Sequence, residues 1–449
     1  NLSPYSATVS RTRFSKETRT AQKSFERFLY FLSEARNGPG MHRVVVDEPY
    51  QFVPPYRGKW LSWLFRLWLK PWLRKSYGII GCSFEGVEHL RNSIAAGHGI
   101  LLCPNHSRDS DPMLMGMLCR KVPTHVFSLA SWHLFKQDPI ESFVIRRLGG
   151  FSIYREGLDR QALDAAVQIV ATAERPLIIF PEGVITRAND RLGSLMDGVS
   201  FIARVAAKKR AEKDPAAKVV VHPMALRYQL IGDVEASVKP ILTALEKRTF
   251  YKAHEHEPIQ TRIRRLALAV LASREVEILG DSQQGAIRPR IFRLLNELLQ
   301  PYERRWLGRA KKGDVVSRVK DLRAAIVPEL LNGTLQEHER AERWRVLTDC
   351  YYAQALSMYP EDYLDNSDRG SVTPERIAET VHRLEEDLTD KVTVRPEWRV
   401  HFRIGEAIEV ETGRKPRGED PLMMELRRRM LGLLEIQDWW PPEPVEPVE

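Results

Sequence analysis

The chain has 449 residues, 43% hydrophobic and 28% charged; that is more than one minimal domain, with enough apolar side chains for a core without staples. Its four cysteines, Cys82, Cys103, Cys119 and Cys350, form no CxxC pair, which argues against a disulfide scaffold and for reduced thiols in a cytoplasmic protein. A net charge of +9 favours anionic partners, but no nucleic-acid motif accompanies it, and no apolar run reaches the roughly 18–20 residues that span a bilayer.

Residues 1–56 read as a polar, partly disordered N-terminal extension with an amphipathic helix around Lys23–Glu34; its opening stretch is not a secretory signal. Residues 57–77, RGKWLSWLFRLWLKPWLRKSY, differ in kind. Lys59, Ser62, Arg66, Lys70 and Arg74 recur every three or four positions, on one helical face. Trp60, Trp63, Trp68 and Trp72 fall among the apolar positions, and no acidic residue lies between Glu48 and Glu85. Tryptophan favours the headgroup region and the cations suit anionic lipid, so this is expected to be a membrane-interface helix that Pro71 kinks or ends. The protein is accordingly expected on the inner, cytoplasmic face of a membrane, as a peripheral protein.

Residues 78–230 alternate strand and helix signals. GILLCPN (99–105), HVFSLA (125–130), FSIYR (151–155), PLIIF (176–180) and KVVVHPMALRY (218–228) read as strands. DPMLMGMLCR (111–120), DRQALDAAVQIVATAE (159–174) and SLMDGVSFIARVAAKKR (194–210) read as the helices between them. This predicts an α/β domain with a mostly parallel sheet flanked by helices. Residues 231–394 read as an all-helical insertion without internal repeat, whose charged amphipathic stretches offer a surface to a protein partner. A strand signal returns in EWRVHFRIGEAIEV (397–410), and DPLMMELRRRMLGLLE (420–435) closes with a helix. Residues 395–437 are therefore expected to complete the α/β domain, ahead of a disordered tail, 438–449.

The chemistry concentrates in PNHSRDSD (104–111). His106 and Asp111 make a His-x4-Asp pair, in which an imidazole takes an alcohol proton and a carboxylate fixes its tautomer. The spacing alone decides little, because His42/Asp47, His133/Asp138 and His382/Asp387 share it. Only His106 directly follows a buried strand and precedes a helix, where sites form on open α/β sheets. His382/Asp387 reads as the solvated face of a charged helix. His222 reads as structural, and AHEHE (253–257) lacks the partners of a metal site. No GxSxG elbow or P-loop is present.

Four blocks occur in order: NHSRDSD (105–111), GGFSIYRE (149–156), FPEGVITR (180–187) and VVHPMAL (220–226). Together they resemble the phospholipid/glycerol acyltransferase family, which includes the lysophosphatidate acyltransferases. The resemblance covers about 82–230 and resumes at 397. It implies that His106 and Asp111 are the catalytic pair, and that Arg155, Glu182, Gly183 and Arg187 line the acceptor site. Asn105, Ser107, Arg108 and Thr186, polar neighbours within these blocks, are expected to touch substrate. The family continues Phe-Pro-Glu-Gly with Thr-Arg, whereas Val184 and Ile185 follow Gly183 here and Thr186 and Arg187 come two places later. That departure bears on acceptor identity more than on reaction type.

The resulting expectation is a membrane-associated acyltransferase. It would move a fatty acyl group from acyl-CoA or acyl carrier protein, the thioester donor, to a lysophospholipid or glycerol-phosphate type hydroxyl. It would do so with His106 as general base, without cofactor or metal, on membrane lipids and without nucleic acid. A phospholipid transacylase and a non-catalytic lipid-binding scaffold are the alternatives.

Overall fold

The computed structural model describes residues 47–331, 335–359, 363–364, 371–389, 392–393, 396–413 and 418–436. The helix expected around Lys23–Glu34, His42 and the tail 438–449 lie outside the described residues.

Helix α1 (Trp60–Tyr77) leads into β1 (Ile79–Glu85), α2 (Val87–Ala95), β2 (Gly99–Pro104), α3 (Asp111–Lys121) and β3 (Phe127–Ser131). Next come α4 (Leu134–Gln137), α5 (Pro139–Arg147), β4 (Gly150–Ile153), α6 (Arg160–Ala171), β5 (Leu177–Ile178), α7 (Gly198–Ala211) and β6 (Val219–Ile231). These strands, with β7 (Glu397–Ile404), lie in the order β1-β7-β6-β2-β5-β3-β4, and β8 (Ile408–Glu409) pairs with β6. The sheet is mostly parallel and covered by helices on both faces, as the sequence predicts. Leu101 and Cys103 of β2 point into one apolar layer with α6, α7 and the last helix, α14 (Pro421–Leu434). Ile100 and Leu102 point into the other, with α1, α2 and α3. A strand buried on both faces reads as a continuous apolar run, which is the GILLCP pattern.

Strand β6 spans 13 residues. Its first half runs parallel to β2, with Val219 opposite Gly99 and Met224 opposite Pro104. Its second half runs antiparallel to β7, from Met224 opposite Ile404 to Ile231 opposite Glu397. The register makes Ile231 and Glu397 cross-strand neighbours although the whole helical region lies between them in sequence.

That region comprises α8 (Val234–Thr249), α9 (Ile259–Leu279), α10 (Ile287–Leu307), α11 (Val315–Leu331), α12 (Glu337–Ser357) and α13 (Pro374–Thr389). Against the reading of the sequence, it carries a recurring junction. Glu246, Glu275 and Glu303, near the ends of α8, α9 and α10, each bind an arginine at the fourth position of the next helix: Arg262 (2.8 Å), Arg290 (2.7 Å) and Arg318 (2.7 Å). Each carboxylate also accepts the backbone N–H eight residues further on, from His254, Gln283 and Lys311. The repeat escapes a residue-by-residue reading because it lies in one buried ion pair per connection and not in similar helices.

Two expectations for α1 need correction. Pro71 does not end the helix, which runs 18 residues through it. Trp60, Trp63 and Trp68 are 55%, 61% and 45% exposed, but Trp72 is only 6% exposed and packs edge-on against Phe65 and Tyr77. Arg66 turns inward too, where it donates to the carbonyl of Thr124. Lys59, Lys70 and Arg74 are exposed. A cation four residues before Lys70 shares its helical face, but here a neighbouring carbonyl captures it. No helix among the described residues is long and apolar enough to cross a membrane.

Candidate active site

His106 leaves the end of β2, and Asp111 opens α3 five residues later. The turn between them folds back so that His106 Nδ1 lies 3.0 Å from Asp111 Oδ2. Asp111 is fully buried, whereas the His106 side chain keeps 12% of its surface exposed. Its ring stacks on Phe180 at 4.2 Å. Nε2 has no hydrogen-bond partner among the described residues, so the pair is oriented from behind and open in front.

Asp111 accepts two further hydrogen bonds. Arg108 N donates to Oδ2 (2.8 Å), and the Tyr228 hydroxyl donates to Oδ1 (2.5 Å). Buried carboxylates need such donors to hold charge away from water. Tyr228 sits on β6, beside β2, and burial pushes its phenol far above the ordinary range, with the Asp111 charge adding to it. It therefore donates at any working pH.

Glu182 follows β5 on the neighbouring strand end. Its carboxylate is not paired with Arg155. It takes His106 N (2.8 Å) on one oxygen and Gly193 N (2.7 Å) on the other. Burial pushes its pKa up to about 7, against the pull of those two amides. Gly183 has φ of +69°, a left-handed conformation that favours glycine, and a β-carbon there would push the Met196 side chain aside. Thr186 N and Oγ1 both donate to the carbonyl of His106, the former at 2.9 Å. Asn105 bridges to both backbone groups of Leu226 on β6. Ser107 is fully buried, and its hydroxyl has no hydrogen-bond partner among the described residues.

The arginines divide. Arg108 lies over the rings of Trp398 (3.7 Å) and Tyr228 (4.4 Å) and binds Glu379 on α13 at 2.9 Å. Arg187, in the left-handed region with φ of 58°, binds Asp109 (2.7 Å) and Glu386 (3.0 Å). Arg155, just past β4, makes no hydrogen bond or ion pair among the described residues. Burial holds its pKa down, at about 10, helped by the neighbouring charge of Arg323 on α11. Of Arg108, Arg155 and Arg187, Arg155 is thus the one whose fork no carboxylate among the described residues occupies. Glu379, Glu386 and Tyr228 were missed because they act across the fold.

His133 and Asp138 share the spacing but form no such pair. Asp138 caps α5 by accepting Ile140 N and Glu141 N, while His133 Nδ1 meets Ser131 Oγ at 2.8 Å. Helix α13, carrying His382 and Asp387, is not a solvated face: Glu379, Glu385 and Glu386 are buried. Its carboxylates go inward because arginines and backbone amides meet them there. His222 is buried between the Gly405 carbonyl and Ser93 Oγ, both at 2.9 Å, in keeping with a structural role.

Residues 82–227 match the family model described as Acyltransferase. No curated protein matches the chain.

Proposed function

We propose, from the premise that residues 82–227 belong to the acyltransferase family of glycerolphosphate and lysophosphatidate acyltransferases, that His106 is the general base of acyl transfer from a thioester to a lysophospholipid or glycerol-phosphate hydroxyl. Membership supports acyl transfer to a lipid-type acceptor; the donor, the acceptor and the base are our reading. The observation that carries it is the buried Asp111 carboxylate 3.0 Å behind His106 Nδ1, with Nε2 facing outward.

In the reaction, the acceptor hydroxyl oxygen attacks the thioester carbonyl as His106 Nε2 takes its proton. The ester C–O bond forms, the C–S bond breaks, and the imidazolium returns the proton to the departing thiolate. Asp111 holds the ring with Nδ1–H toward itself and balances the transient positive charge. The amides of His106 and Arg108 are already engaged by Glu182 and Asp111, so an oxyanion donor must come from elsewhere in the site. Arg155, with its fork unoccupied, is the phosphate ligand in this reading; Arg108 and Arg187 act on the protein itself.

The exposed face of α1, with Trp60, Trp63 and Trp68 beside Lys59, Lys70 and Arg74, is the membrane contact in this proposal. It would hold the enzyme peripherally on the inner membrane face, beside its lipid acceptor. The test is transfer from labelled palmitoyl-CoA or palmitoyl carrier protein to a lysolipid panel. Arg155→Ala should raise the acceptor KM about 10- to 100-fold, the worth of a charged hydrogen bond of about 1.5–3 kcal/mol, and leave the donor KM unchanged. Equal wild-type activity on acceptors with and without phosphate would overturn the role of Arg155.

A further inference from the structure

We propose that helix α13 of the helical region supplies positioning residues for the catalytic pair: Glu379, assisted by Glu386, fixes the loop that carries His106 and Asp111. The geometry connects Glu379 to Asp111 by two routes. In the first, Glu379 Oε1 binds Arg108 Nη2 at 2.9 Å, and the backbone N–H of the same arginine binds Asp111 Oδ2 at 2.8 Å. In the second, Glu379 Oε2 accepts Asn189 N at 3.1 Å. Asn189 brackets Tyr228, its amide donating to the Tyr228 carbonyl and its oxygen accepting Tyr228 N, both at 2.7 Å. Tyr228 in turn donates to Asp111 Oδ1.

Burial makes this linkage strong. The side chains of Arg108 and Glu379 are only 15% and 3% exposed. The guanidinium is covered by Trp398 from β7 and Tyr228 from β6, so Glu379 supplies its compensating carboxylate. Removing that carboxylate leaves a charge that must seek water. Moving the guanidinium pulls on the Arg108 peptide, and with it on one of the three donors that hold Asp111.

Glu386 lies seven residues along α13, two turns on and on the same face. It binds Arg187 at 3.0 Å, and Arg187 binds Asp109 of the catalytic loop at 2.7 Å. One helix face thus grips the loop 105–111 at two points, through side chains 271 residues apart in the first case. The helical region is in this account part of the catalytic apparatus and not a passive addition. Its kinetic consequence rests on the acyl-transfer reading; its structural consequence does not.

The experiment uses the full chain with isotope-labelled histidine, His106 being assigned by its absence in His106→Asn. Ring nitrogen shifts at alkaline pH report the neutral tautomer. Wild type should show His106 as the Nδ1–H form. Glu379→Ala should mix the tautomers and lower kcat for palmitoyl transfer about 10- to 100-fold, the cost of a small misplacement, with donor KM little changed. Glu379→Gln, which keeps an oxygen for Arg108, should restore most of both and gives a milder variant if the alanine fails to fold. Glu303→Ala is the control: it breaks a buried pair with Arg318 of the same type and should lower Tm while leaving tautomer and kcat unchanged. A wild-type tautomer and kcat in folded Glu379→Ala would overturn the proposal, as would equal mixing in Glu303→Ala. If wild type transfers no acyl group, the functional reading fails, yet the tautomer comparison still decides whether α13 positions His106.

Discussion

Asp111 accepts three hydrogen bonds from three different donors, so its replacement by Asn tests orientation without emptying space. Asp111→Asn presents an amide where Nδ1–H, Arg108 N–H and a phenol all donate. It should lower turnover about 10²–10⁴-fold, the usual worth of a positioned base, while the fold survives. His133→Ala and His382→Ala should leave turnover intact. Glu182 gives a pH test. Its folded pKa, pushed to about 7, lies above the ordinary glutamate value, so between the two the native state holds a proton that the unfolded chain has lost. The resulting stability is complete at acid pH and disappears as pH rises through about 7. Glu182→Gln mimics the protonated form, so its Tm relative to wild type should climb from pH 5 to pH 8; a flat or falling difference in thermal melts would contradict this. The contact between His106 and Asp111 was legible because the motif is local and follows a buried strand. The destinations of Arg108 and Arg187 were not, because a motif shows a guanidinium and not whether a carboxylate from α13 already holds it.

Helix α1 shows at the element scale what periodicity can and cannot decide. Its amphipathic spacing was readable, but Trp72 and Arg66 sit near the boundary of the two faces, and packing against Phe65 and the Thr124 carbonyl took them inward. Trp60→Ser with Trp63→Ser should weaken sedimentation with anionic vesicles and keep the wild-type Tm. Trp72→Ala should instead destabilise by about 3–5 kcal/mol, as buried aromatic truncations do. Salt should weaken vesicle binding, since each cation at an anionic surface contributes about 1 kcal/mol. Unchanged sedimentation of the double variant would remove the lipid role of this face. The Glu–Arg junctions make a second prediction. Glu275→Ala leaves Arg290, 10% exposed, without its buried partner and should cost about 3–5 kcal/mol in denaturant unfolding. Replacing both by apolar residues of similar volume should cost far less. The helices themselves were legible from their charged periodicity; the junctions were not, since buried and solvated glutamates look alike in a string of letters.

The sheet gives the whole molecule its logic. Strand β7 lies between β1 and β6, so the strand signal in EWRVHFRI marks an interior strand of a sheet whose other members, the short β8 apart, precede residue 232. Truncation after residue 390 would remove the strand that β1 pairs with and bare the β6 edge; the product should be insoluble even with all four sequence blocks intact. Replacing 235–392 by a short Gly/Ser linker should give a soluble protein, because Ile231 and Glu397 already face each other as hairpin neighbours. That protein should nonetheless be poorly active, having lost Glu379 and Glu386. The strand and helix order was legible because apolar runs and amphipathic helices are local signals; the site's dependence on α13 was not, because it arises only when the chain closes.

Transfer of an acyl group through His106 is the proposal on which the rest depends. Mass spectrometry of lipids after incubation with palmitoyl-CoA or palmitoyl carrier protein and a lysolipid panel tests it most directly, with free thiol measured alongside. Wild type should give a new diacyl phospholipid, matched by equal thiol release, and folded His106→Ala should lose about 10²–10⁴-fold. No acylated product from wild type with any donor and acceptor, or equal product from His106→Ala, would contradict the proposal.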